Sequence, residues 1–296
     1  MKCLVTGGAG FIGSNLVDKL VSLDYDVIVI DNESAKENKK FYWNKNAENY
    51  KYDICNYNKI KSLFNNVDYV FHLAAQSRIQ PSIIDPSYTF KVNFEGTLNV
   101  LNAAKKNNVS KIIYSSTSSY YGLKNAVPSK EEMPRDCLNP YSYSKVFGED
   151  LCKMYYQLYG MNIFVLRYFN VYGERQPTKG QYAPVIGIFQ KQFANNKKMT
   201  IVGDGMQRRD YTHVQDIVFA NTKIINSNLN GFETFNVGTG INYSVLELAK
   251  MIGGPYEFIP KRKGEAKETL ADISKICKKL NWSPSIMIKD WIKDNI

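Results

Sequence analysis

A tyrosine and a lysine four positions apart give this sequence a means of moving a proton. They belong to the motif PYSYSK at 140–145, in which Tyr141 and Lys145 would share one face of a helix. An ammonium beside a phenol favours the phenolate and lowers a pKa that is otherwise about 10. We predict that Tyr141 removes a proton from a hydroxyl group near neutral pH, with Lys145 assisting it.

A hydroxyl-rich segment upstream supplies a partner for this tyrosine. The sequence YSSTSSYYG at 114–122 places Thr117 at a strand end, where its hydroxyl can share a hydrogen bond with the oxygen that Tyr141 deprotonates. Ser116 is the alternative to Thr117, and Tyr143 is off the helical face of Lys145. A YxxxK pair is common by chance, so an ordinary surface role for Tyr141 is the competing interpretation, and the order of the surrounding motifs argues against it.

A glycine-rich turn near the N-terminus has the spacing of a phosphate-binding loop. Residues 4–13 read LVTGGAGFIG, between a strand pattern and an amphipathic helix pattern. Gly7, Gly10 and Gly13 can supply a positive φ, close approach of the backbone to a pyrophosphate, and tight packing of helix on sheet. Asp31, 18 positions beyond Gly13, can accept both hydroxyls of an adenosine ribose and would repel a 2′-phosphate. The pattern therefore predicts NAD as the cofactor, rather than NADP.

Further strand ends complete a predicted dinucleotide groove. Asp53 and Ile54 would lie beside the adenine, and the small Ala74 and Ala75 would let the backbone approach the cofactor, although ordinary packing explains these residues equally well. The predicted cofactor-binding residues from these segments are Gly7, Gly10, Phe11, Ile12, Gly13, Asp31, Asn32, Asp53, Ile54, Leu73, Ala74, Ala75, Tyr141 and Lys145.

The elements that must position these residues follow from alternating strand and helix patterns. Several β-branched runs are apolar throughout, as in strands covered on both faces, so we predict an α/β fold with a doubly wound parallel (Rossmann) sheet. The pattern loosens after about residue 170, which predicts a smaller α/β substrate-binding lobe. We assign 1–169, joined by 212–238, to the NAD-binding domain and 170–296 mainly to the interleaved lobe. The predicted strands are Leu4–Thr6, Val27–Asp31, Tyr69–Leu73, Lys111–Ser115, Ile163–Arg167, Met199–Val202 and Phe235–Val237, with helices from Asp216, from Ser244 and near Lys289.

Composition narrows the class of protein. The 296 residues, 44% of them hydrophobic, suffice for a large domain with a lobe. The net charge of +10 comes from scattered lysines, which favours a solvated surface over a nucleic-acid or membrane partner. Five widely spaced cysteines without a CxxC and only two histidines argue against a disulfide framework and against a metal site. With no signal-peptide pattern and no bilayer-spanning run, a reducing cytoplasmic location is expected.

Taken together, the motifs resemble the extended short-chain dehydrogenase/reductase family, specifically its nucleotide-sugar epimerases and dehydratases. The resemblance covers nearly the whole chain and keeps the order of the family's motifs, which makes it far more specific than any single motif. The matching segments are TGGAGFIG at 6–13, DN at 31–32, HLAAQ at 72–76, VNFEGTLNVL at 92–101, SSTSSYYG at 115–122, PYSYSK at 140–145, LRYFNVYG at 166–173 and RRDYTHVQDI at 208–217.

The resemblance implies further binding residues. It places Asn93 near the cofactor and Asn170 near a sugar diphosphate. Arg209 and Arg262 resemble the pair that clamps the pyrophosphate, a role suited to guanidinium groups, and Glu265 would lie near the nucleotide ribose. An exposed basic loop is the competing interpretation for Arg262.

The same resemblance narrows the reaction. The family's dehydratases and decarboxylases carry Asp-Glu or Glu directly after the strand-end hydroxyl, whereas this chain has Ser118 and Ser119. We therefore expect a 4-epimerase: Tyr141 takes the proton of the 4-hydroxyl, hydride passes from C4 to NAD, the bound 4-keto sugar turns over, and hydride returns to the opposite face.

The sugar is less constrained than the reaction. Thr269 stands where family members restricted to glucose and galactose tend to carry a bulky aromatic residue, so we expect UDP-N-acetylglucosamine to be accepted as well as UDP-glucose. Arg78 and Gln80 are candidate sugar contacts, and Arg78 could instead recognise a 6-carboxylate, as in a UDP-glucuronate 4-epimerase.

Two alternatives outside the enzyme class are a non-catalytic NAD-binding regulator and a basic nucleic-acid binder. The resemblance also implies a homodimer, formed by helices near 95–105 and 144–158. The stripe that could form its interface, which could equally be core, comprises Phe147, Leu151, Met154, Tyr155 and Leu158.

Overall fold

A seven-stranded parallel sheet organises the larger part of the molecule. The computed structural model describes residues 1–35, 38, 40–178, 183–262 and 264–296. The sheet has the order β11-β6-β5-β4-β1-β2-β3, and all its neighbouring strands are parallel. Its strands are β1 (Lys2–Thr6), β2 (Asp26–Ile30), β3 (Glu48–Tyr50), β4 (Tyr69–His72), β5 (Lys111–Thr117), β6 (Ile163–Tyr168) and β11 (Phe232–Val237).

Helices cover both faces of this sheet. Apolar residues of α1, α8 and α10 pack on one face, and those of α5 and α6 pack on the other. Strands buried on both faces explain the continuous apolar runs in the sequence. The helices are α1 (Phe11–Ser22), α2 (Tyr57–Ile60), α3 (Ile79–Ile84), α4 (Pro86–Phe90), α5 (Gly96–Lys106), α6 (Pro140–Tyr159), α7 (Val185–Ala194), α8 (Val214–Ile225), α9 (Val245–Ile252), α10 (Ser274–Leu280) and α11 (Ile288–Asn295).

The second half of the chain builds a smaller lobe with its own core. The six remaining strands form two-stranded sheets, of which β7–β10 and β8–β13 are parallel and β9–β12 is antiparallel. Apolar side chains of α7, α9 and α11 pack together with those of β8. These strands are β7 (Val171–Tyr172), β8 (Met199–Val202), β9 (Arg208–Asp210), β10 (Thr212–His213), β12 (Asn242–Ser244) and β13 (Tyr256–Ile259).

The predicted α/β fold with a doubly wound parallel sheet is confirmed, and the seven predicted strands appear, six of them with shifted ends and Met199–Val202 unchanged. β3 was not predicted, because its sequence ENY is short and polar at the edge of the sheet. β13 was not predicted either, because its sequence YEFI is short and three of its four residues are exposed.

The strand order reverses between β1 and β4, which creates a crevice at their carboxyl ends. In open α/β sheets, ligands bind at this point, because the connections leave in opposite directions and open a gap. The glycine turn follows β1 and the segment 73–75 follows β4, so both border the crevice. Within the described residues, no helix combines the length and apolarity required to cross a bilayer.

Candidate active site

A single cavity of about 510 Å³ brings together most of the residues that the sequence singles out. It extends from the glycine turn to the basic loop after β13. Of the predicted residues, only Asp53 and Asn93 do not line it. Those that do are Gly7, Gly10, Phe11, Ile12, Gly13, Asp31, Asn32, Ile54, Leu73, Ala74, Ala75, Arg78, Gln80, Thr117, Tyr141, Lys145, Asn170, Arg209, Arg262, Glu265 and Thr269.

The glycine turn has the geometry of a phosphate cradle. Gly7 has φ +70°, and a Cβ there would meet the backbone N of Ala74 at 2.7 Å. A Cβ on Gly13 would meet the carbonyl oxygen of Gly7 at 2.1 Å, whereas one on Gly10 would come no closer than 3.4 Å to that oxygen. Gly10 is the N-cap of α1 without a side-chain cap hydrogen bond, and no acidic residue follows in the first turn. The N–H groups of this helix end therefore suit a pyrophosphate.

Asp31 and Asn32 form the far wall of the cradle. The Asp31 carboxylate accepts hydrogen bonds from the backbone N of Ala9, at 3.1 Å, and of Glu33, at 2.8 Å, and burial raises its pKa. Each oxygen keeps further lone pairs for ribose hydroxyls. Asn32 donates to Asp53 at 3.0 Å, so Asp53 holds Asn32 instead of facing the cavity. These residues fit the adenosine half of NAD.

Asn93 lies behind the cavity and fixes one of its walls. Its side chain accepts from the backbone N of Gln76 at 2.7 Å and donates to the carbonyl of Gln76 at 3.0 Å and to Ser144 Oγ at 2.8 Å. The side chain is 1% exposed. Asn93 therefore positions the segment after β4 against α6, and does not line the cavity as a cofactor contact would.

A buried chain of polar groups that the sequence analysis did not identify continues from Asn93. His72 hydrogen-bonds Thr6 Oγ1 through Nδ1 at 2.7 Å and Thr97 Oγ1 through Nε2 at 2.9 Å, and Thr97 donates to the Asn93 carbonyl. Burial lowers the pKa of His72 to about 3. This histidine is neutral at physiological pH and ties β1 to β4 at the crevice. The HLAAQ motif contained the signal, since a histidine ending an apolar strand needs buried partners.

The helix that carries Tyr141 begins and ends with strong signals in the sequence. Asn139 caps α6 in a reciprocal capping box with Ser142, Pro140 occupies the first turn, and Gly160 ends the helix with φ +68°. The spacing of Tyr141 and Lys145 on this helix places both side chains in the cavity wall.

Thr117 lines the cavity together with Tyr141 and influences the pKa of its phenol. Burial raises the pKa of the Tyr141 phenol, and its hydrogen bond with Thr117 and the nearby Arg78 guanidinium oppose that rise. The alternative Ser116 is engaged elsewhere, donating to Glu149 at 2.5 Å. Thr117 Oγ1 also accepts from the backbone N of Ser119 at 3.1 Å, which fixes its orientation.

Lys145 is not among the groups that lower the Tyr141 pKa in this structure. The pKa of Tyr141 is raised, and the groups that act to lower it are Thr117 and Arg78. Burial lowers the pKa of Lys145 itself to about 7, so its charge is only partial at neutral pH. Its Nζ lies 4.1 Å from the centroid of the Tyr114 ring. An aromatic ring replaces little of the hydration that a buried ammonium loses.

Two arginines and a glutamate meet at the other end of the cavity. Glu265 lies 3.8 Å from the Arg209 guanidinium and 4.0 Å from that of Arg262. The Arg262 side chain is 23% exposed, which argues against the alternative of an exposed basic loop. Asn170 donates to the carbonyl of Asp210 at 3.0 Å and to Thr269 Oγ1 at 3.1 Å. Guanidinium groups are suited by charge and hydrogen-bonding geometry to a diphosphate.

The whole-chain comparison decides the family. Residues 3–238 match the NAD dependent epimerase/dehydratase family. This chain belongs to that family. Its seven-stranded sheet and flanking helices are those of the family's solved structures.

Several members of the family are similar over their full length. The UDP-glucose 4-epimerase of Thermotoga maritima, solved with UDP-glucose, has 35% identity and a TM-score of 0.94, covering 100% of this chain and 97% of that one. The UDP-N-acetylglucosamine 4-epimerase of Methanobrevibacter ruminantium, solved with UDP-N-acetylmuramic acid, has 32% identity and a TM-score of 0.92, covering 99% and 96%. A UDP-glucuronate 4-epimerase from Thermodesulfobacterium geofontis is 36% identical, covering 99% and 96%.

The cavity of this family member also has a wall that the sequence analysis did not assign. It comes from the end of β6, from β7, α7 and β8, and from residues next to β7, α7 and β9. Of the segment LRYFNVYG, the sequence singles out only Asn170 as a site residue. The residues of this wall include Tyr168, Val171, Tyr172, Pro177, Ala183, Val185, Ile186, Thr200, Val202, Gln207 and Tyr211.

Proposed function

We propose that this protein is an NAD-dependent nucleotide-sugar 4-epimerase that works through a transient 4-keto sugar. The observation that supports this best is one cavity lined by the glycine turn, by the hydrogen-bonded pair Thr117 and Tyr141, and by the arginines of the basic loop. Ser118 and Ser119 stand where the family's dehydratases carry their additional acid or base, which favours simple oxidation and reduction at C4.

The residues of the cradle divide between binding and proton transfer. Gly7, Gly10 and Gly13 with the N-terminus of α1 would hold the pyrophosphate of NAD, and Asp31 would hold the adenosine ribose. Bound NAD would supply the two-electron oxidant for C4, the reductant for the return step, and a positive charge beside the phenol. That charge would oppose the effect of burial on the Tyr141 pKa.

Proton transfer is assigned to Tyr141 and Thr117. The phenolate oxygen of Tyr141 accepts the proton of the sugar 4-hydroxyl and later returns it to the same oxygen of the inverted sugar. The Thr117 hydroxyl shares a hydrogen bond with the sugar 4-oxygen and so holds this oxygen beside the phenol oxygen of Tyr141. Lys145 lies one helical turn further on and we assign it to cofactor contact and to stabilising the phenolate while it is protonated.

The nucleotide end is assigned to Arg209, Arg262 and Glu265. Two guanidinium groups bridged by one carboxylate can bind a diphosphate through several charge-assisted hydrogen bonds, and the carboxylate suits a ribose hydroxyl. Strong anchoring at this end leaves the sugar free to turn over between the two half-reactions. Tight binding of the sugar itself would oppose that rotation.

We propose UDP-glucose and UDP-N-acetylglucosamine as substrates, since Thr269 leaves more room than an aromatic residue. A second candidate is UDP-glucuronate, favoured by the position of Arg78, whose charge already acts on the Tyr141 phenol. A guanidinium so close to the sugar site could pair with a 6-carboxylate.

The test is NMR of purified protein with UDP-, GDP- and dTDP-hexoses and with UDP-glucuronate, following the anomeric protons. We expect conversion of a UDP-sugar to its C4 epimer without net NADH. Turnover of UDP-glucuronate alone would establish the second candidate, and a 6-deoxy-4-keto product would contradict both. A bound cofactor without turnover of any sugar would instead support an NAD-binding regulator.

We also propose that the chain acts as a homodimer through α5 and α6. Of the predicted stripe, Leu151 and Tyr155 belong to the core, at 8% and 3% exposure, while Met154 and Leu158 are exposed, at 38% and 65%. Exposed Tyr156 and Tyr159 on the same helix extend this apolar surface.

A further inference from the structure

Asn139 uses its two side-chain atoms for two different segments of the chain. Its Oδ1 accepts from the backbone N of Ser142 at 2.9 Å, which caps α6. Its Nδ2 donates at 2.9 Å to the carbonyl oxygen of Gly264, 125 positions away in the sequence. The orientation of the amide is fixed, because Ser142 offers a donor and Gly264 an acceptor. The side chain is 5% exposed.

Gly264 belongs to the loop that brings Arg262 and Glu265 to the cavity. It has φ +76°, in the left-handed region, and a Cβ there would lie 3.4 Å from Ile83 Cδ1. Gly264 therefore lies beside α3, and the hydrogen bond from Asn139 fixes it to the first turn of α6.

The same turn of α6 is also held by α3. Ser82, which is fully buried, accepts from the backbone N of Tyr141 at 3.0 Å and donates to the carbonyl of Ile79 at 2.6 Å. Because α3 follows directly after Arg78, three parts of the candidate site meet at the first turn of α6. They are the candidate sugar contact Arg78, the candidate base Tyr141 and the loop with the candidate diphosphate clamp Arg262.

We propose that Asn139 is a positioning residue that fixes the loop carrying Arg262 and Glu265 relative to Tyr141. It does so by a hydrogen bond that is separate from its role as a helix cap. This inference rests on the proposed function for the meaning of the two ends, but the link itself is a property of the fold. Ser or Asp at this position would cap the helix equally well and would lack the amide donor.

Asn139→Asp separates the two roles. The carboxylate keeps the acceptor for Ser142 and is favoured at a helix N-terminus, so the melting temperature should stay within a few degrees of wild type. The variant loses the donor to Gly264, and a carboxylate oxygen then faces the carbonyl oxygen of Gly264, both of them acceptors. We expect faster amide hydrogen exchange in the peptide spanning 264–270, and about three- to tenfold weaker binding of UDP by calorimetry.

Two further variants complete the comparison. Asn139→Ala removes both roles and should also lower the melting temperature. Asn56→Asp makes the same change at the N-cap of α2, where the side chain accepts from Lys59, and should leave exchange at 264–270 and UDP binding unchanged.

Hydrogen exchange at 264–270 in Asn139→Asp that matches wild type would overturn the proposal. So would a loss of UDP binding found only in variants that also lose thermal stability, since that would assign Asn139 to capping alone. If wild-type protein does not bind UDP while exchange responds to Asn139→Asp, the proposed function fails and the link between loop and helix remains.

Discussion

The protonation states of Tyr141 and Lys145 determine what the site can do. Burial shifts their pKa values in opposite directions, raising that of the phenol and lowering that of the amine to about 7. Both shifts disfavour the ion pair that a simple YxxxK interpretation assumes. Two cations outside the helix, Arg78 and the oxidised cofactor, would therefore favour the phenolate in addition to Lys145 in its protonated form.

Tyr141→Phe should lower kcat by about 10²- to 10⁴-fold, the usual contribution of a positioned general base, because the sugar 4-hydroxyl loses its proton acceptor. NAD retention and the melting temperature should change little. The matched control is Tyr143→Phe on the same helix, where the ring is 46% exposed. Steady-state kinetics with a UDP-sugar and the absorbance of released cofactor measure both effects. A Tyr141→Phe variant with normal kcat would remove Tyr141 from the role of base.

Lys145 makes a prediction about pH. Its pKa is about 7 in the folded protein, against about 10.4 in an unfolded chain, so between these values the unfolded chain binds more protons. The contribution of this group to the free energy of unfolding therefore rises with pH, by at most about 1.4 kcal/mol per pH unit. The destabilisation of the folded protein by Lys145 is greatest below pH 7. Urea unfolding of wild type and Lys145→Met between pH 7 and 9.5 should show wild type gaining relative to the variant. Parallel curves would contradict the shifted pKa.

The sequence could predict single site residues where a motif fixes their position relative to other site residues. Thr117, preferred over Ser116 in the sequence, lines the cavity and acts to lower the Tyr141 pKa, whereas Ser116 donates to Glu149. The electrostatics of Lys145 were not accessible, because spacing along a helix says nothing of the desolvation on its buried face. Nor could spacing distinguish Asp53 and Asn93, which support the cavity wall from behind, from residues that face the cavity.

At the scale of elements, the turn between β1 and α1 depends on glycines for two separate reasons. A Cβ on Gly13 would lie 2.1 Å from the Gly7 carbonyl, which is backbone and cannot move aside, whereas Gly10 has room for a Cβ within the protein and lines the cavity. Gly13 is therefore required by the turn itself, and Gly10 leaves room for the approach of a ligand.

Gly13→Ala and Gly10→Ala should separate these two reasons. Gly13→Ala should lower the melting temperature and lose NAD, while Gly10→Ala should keep the melting temperature and weaken only NAD binding, because the added methyl group faces the pyrophosphate. Thermal unfolding and the cofactor content of the purified variants measure the two effects. Equal loss of stability in both variants would contradict the distinction.

Strong signals at element ends explain which elements could be predicted. α6 carries the capping residue Asn139 and the terminal Gly160, and β8 appears with the predicted bounds Met199–Val202. β3 and β13 were not predicted, because they are stabilised by pairing with β2 and β8, respectively. This tertiary effect outweighs their weak local preference for strand. The start of α7 at Val185 was not predicted, because the sequence before it contains Gly and Pro and is typical of a loop.

At the scale of the whole molecule, the parallel sheet and the smaller lobe each contribute one half of the cavity. The sheet supplies the cradle, Thr117 and Tyr141, and the lobe supplies Arg209, Arg262 and Thr269. The sequence indicated both halves through the order of its motifs. It did not indicate how the halves are joined, because the link from Asn139 to Gly264 connects segments more than a hundred residues apart.

The division of the cavity explains how one site can serve both faces of a sugar ring. Under the proposed function, the lobe would restrain the nucleotide diphosphate, while the sugar would contact mainly Tyr141, Thr117 and the segment around Arg78. The sugar could then present either face of C4 without dissociation of the nucleotide. The hydrogen that leaves C4 would accordingly return to C4 without entering water.

The most direct measurement is therefore epimerisation of a UDP-sugar in D₂O, followed by proton NMR of both epimers. We predict that the C4 position keeps its protium in substrate and product through many turnovers, with no deuterium at C5. Deuterium at C4 would show that the hydrogen exchanges with solvent, and deuterium at C5 would show proton removal beside a ketone; either result would contradict a transient oxidation confined to C4.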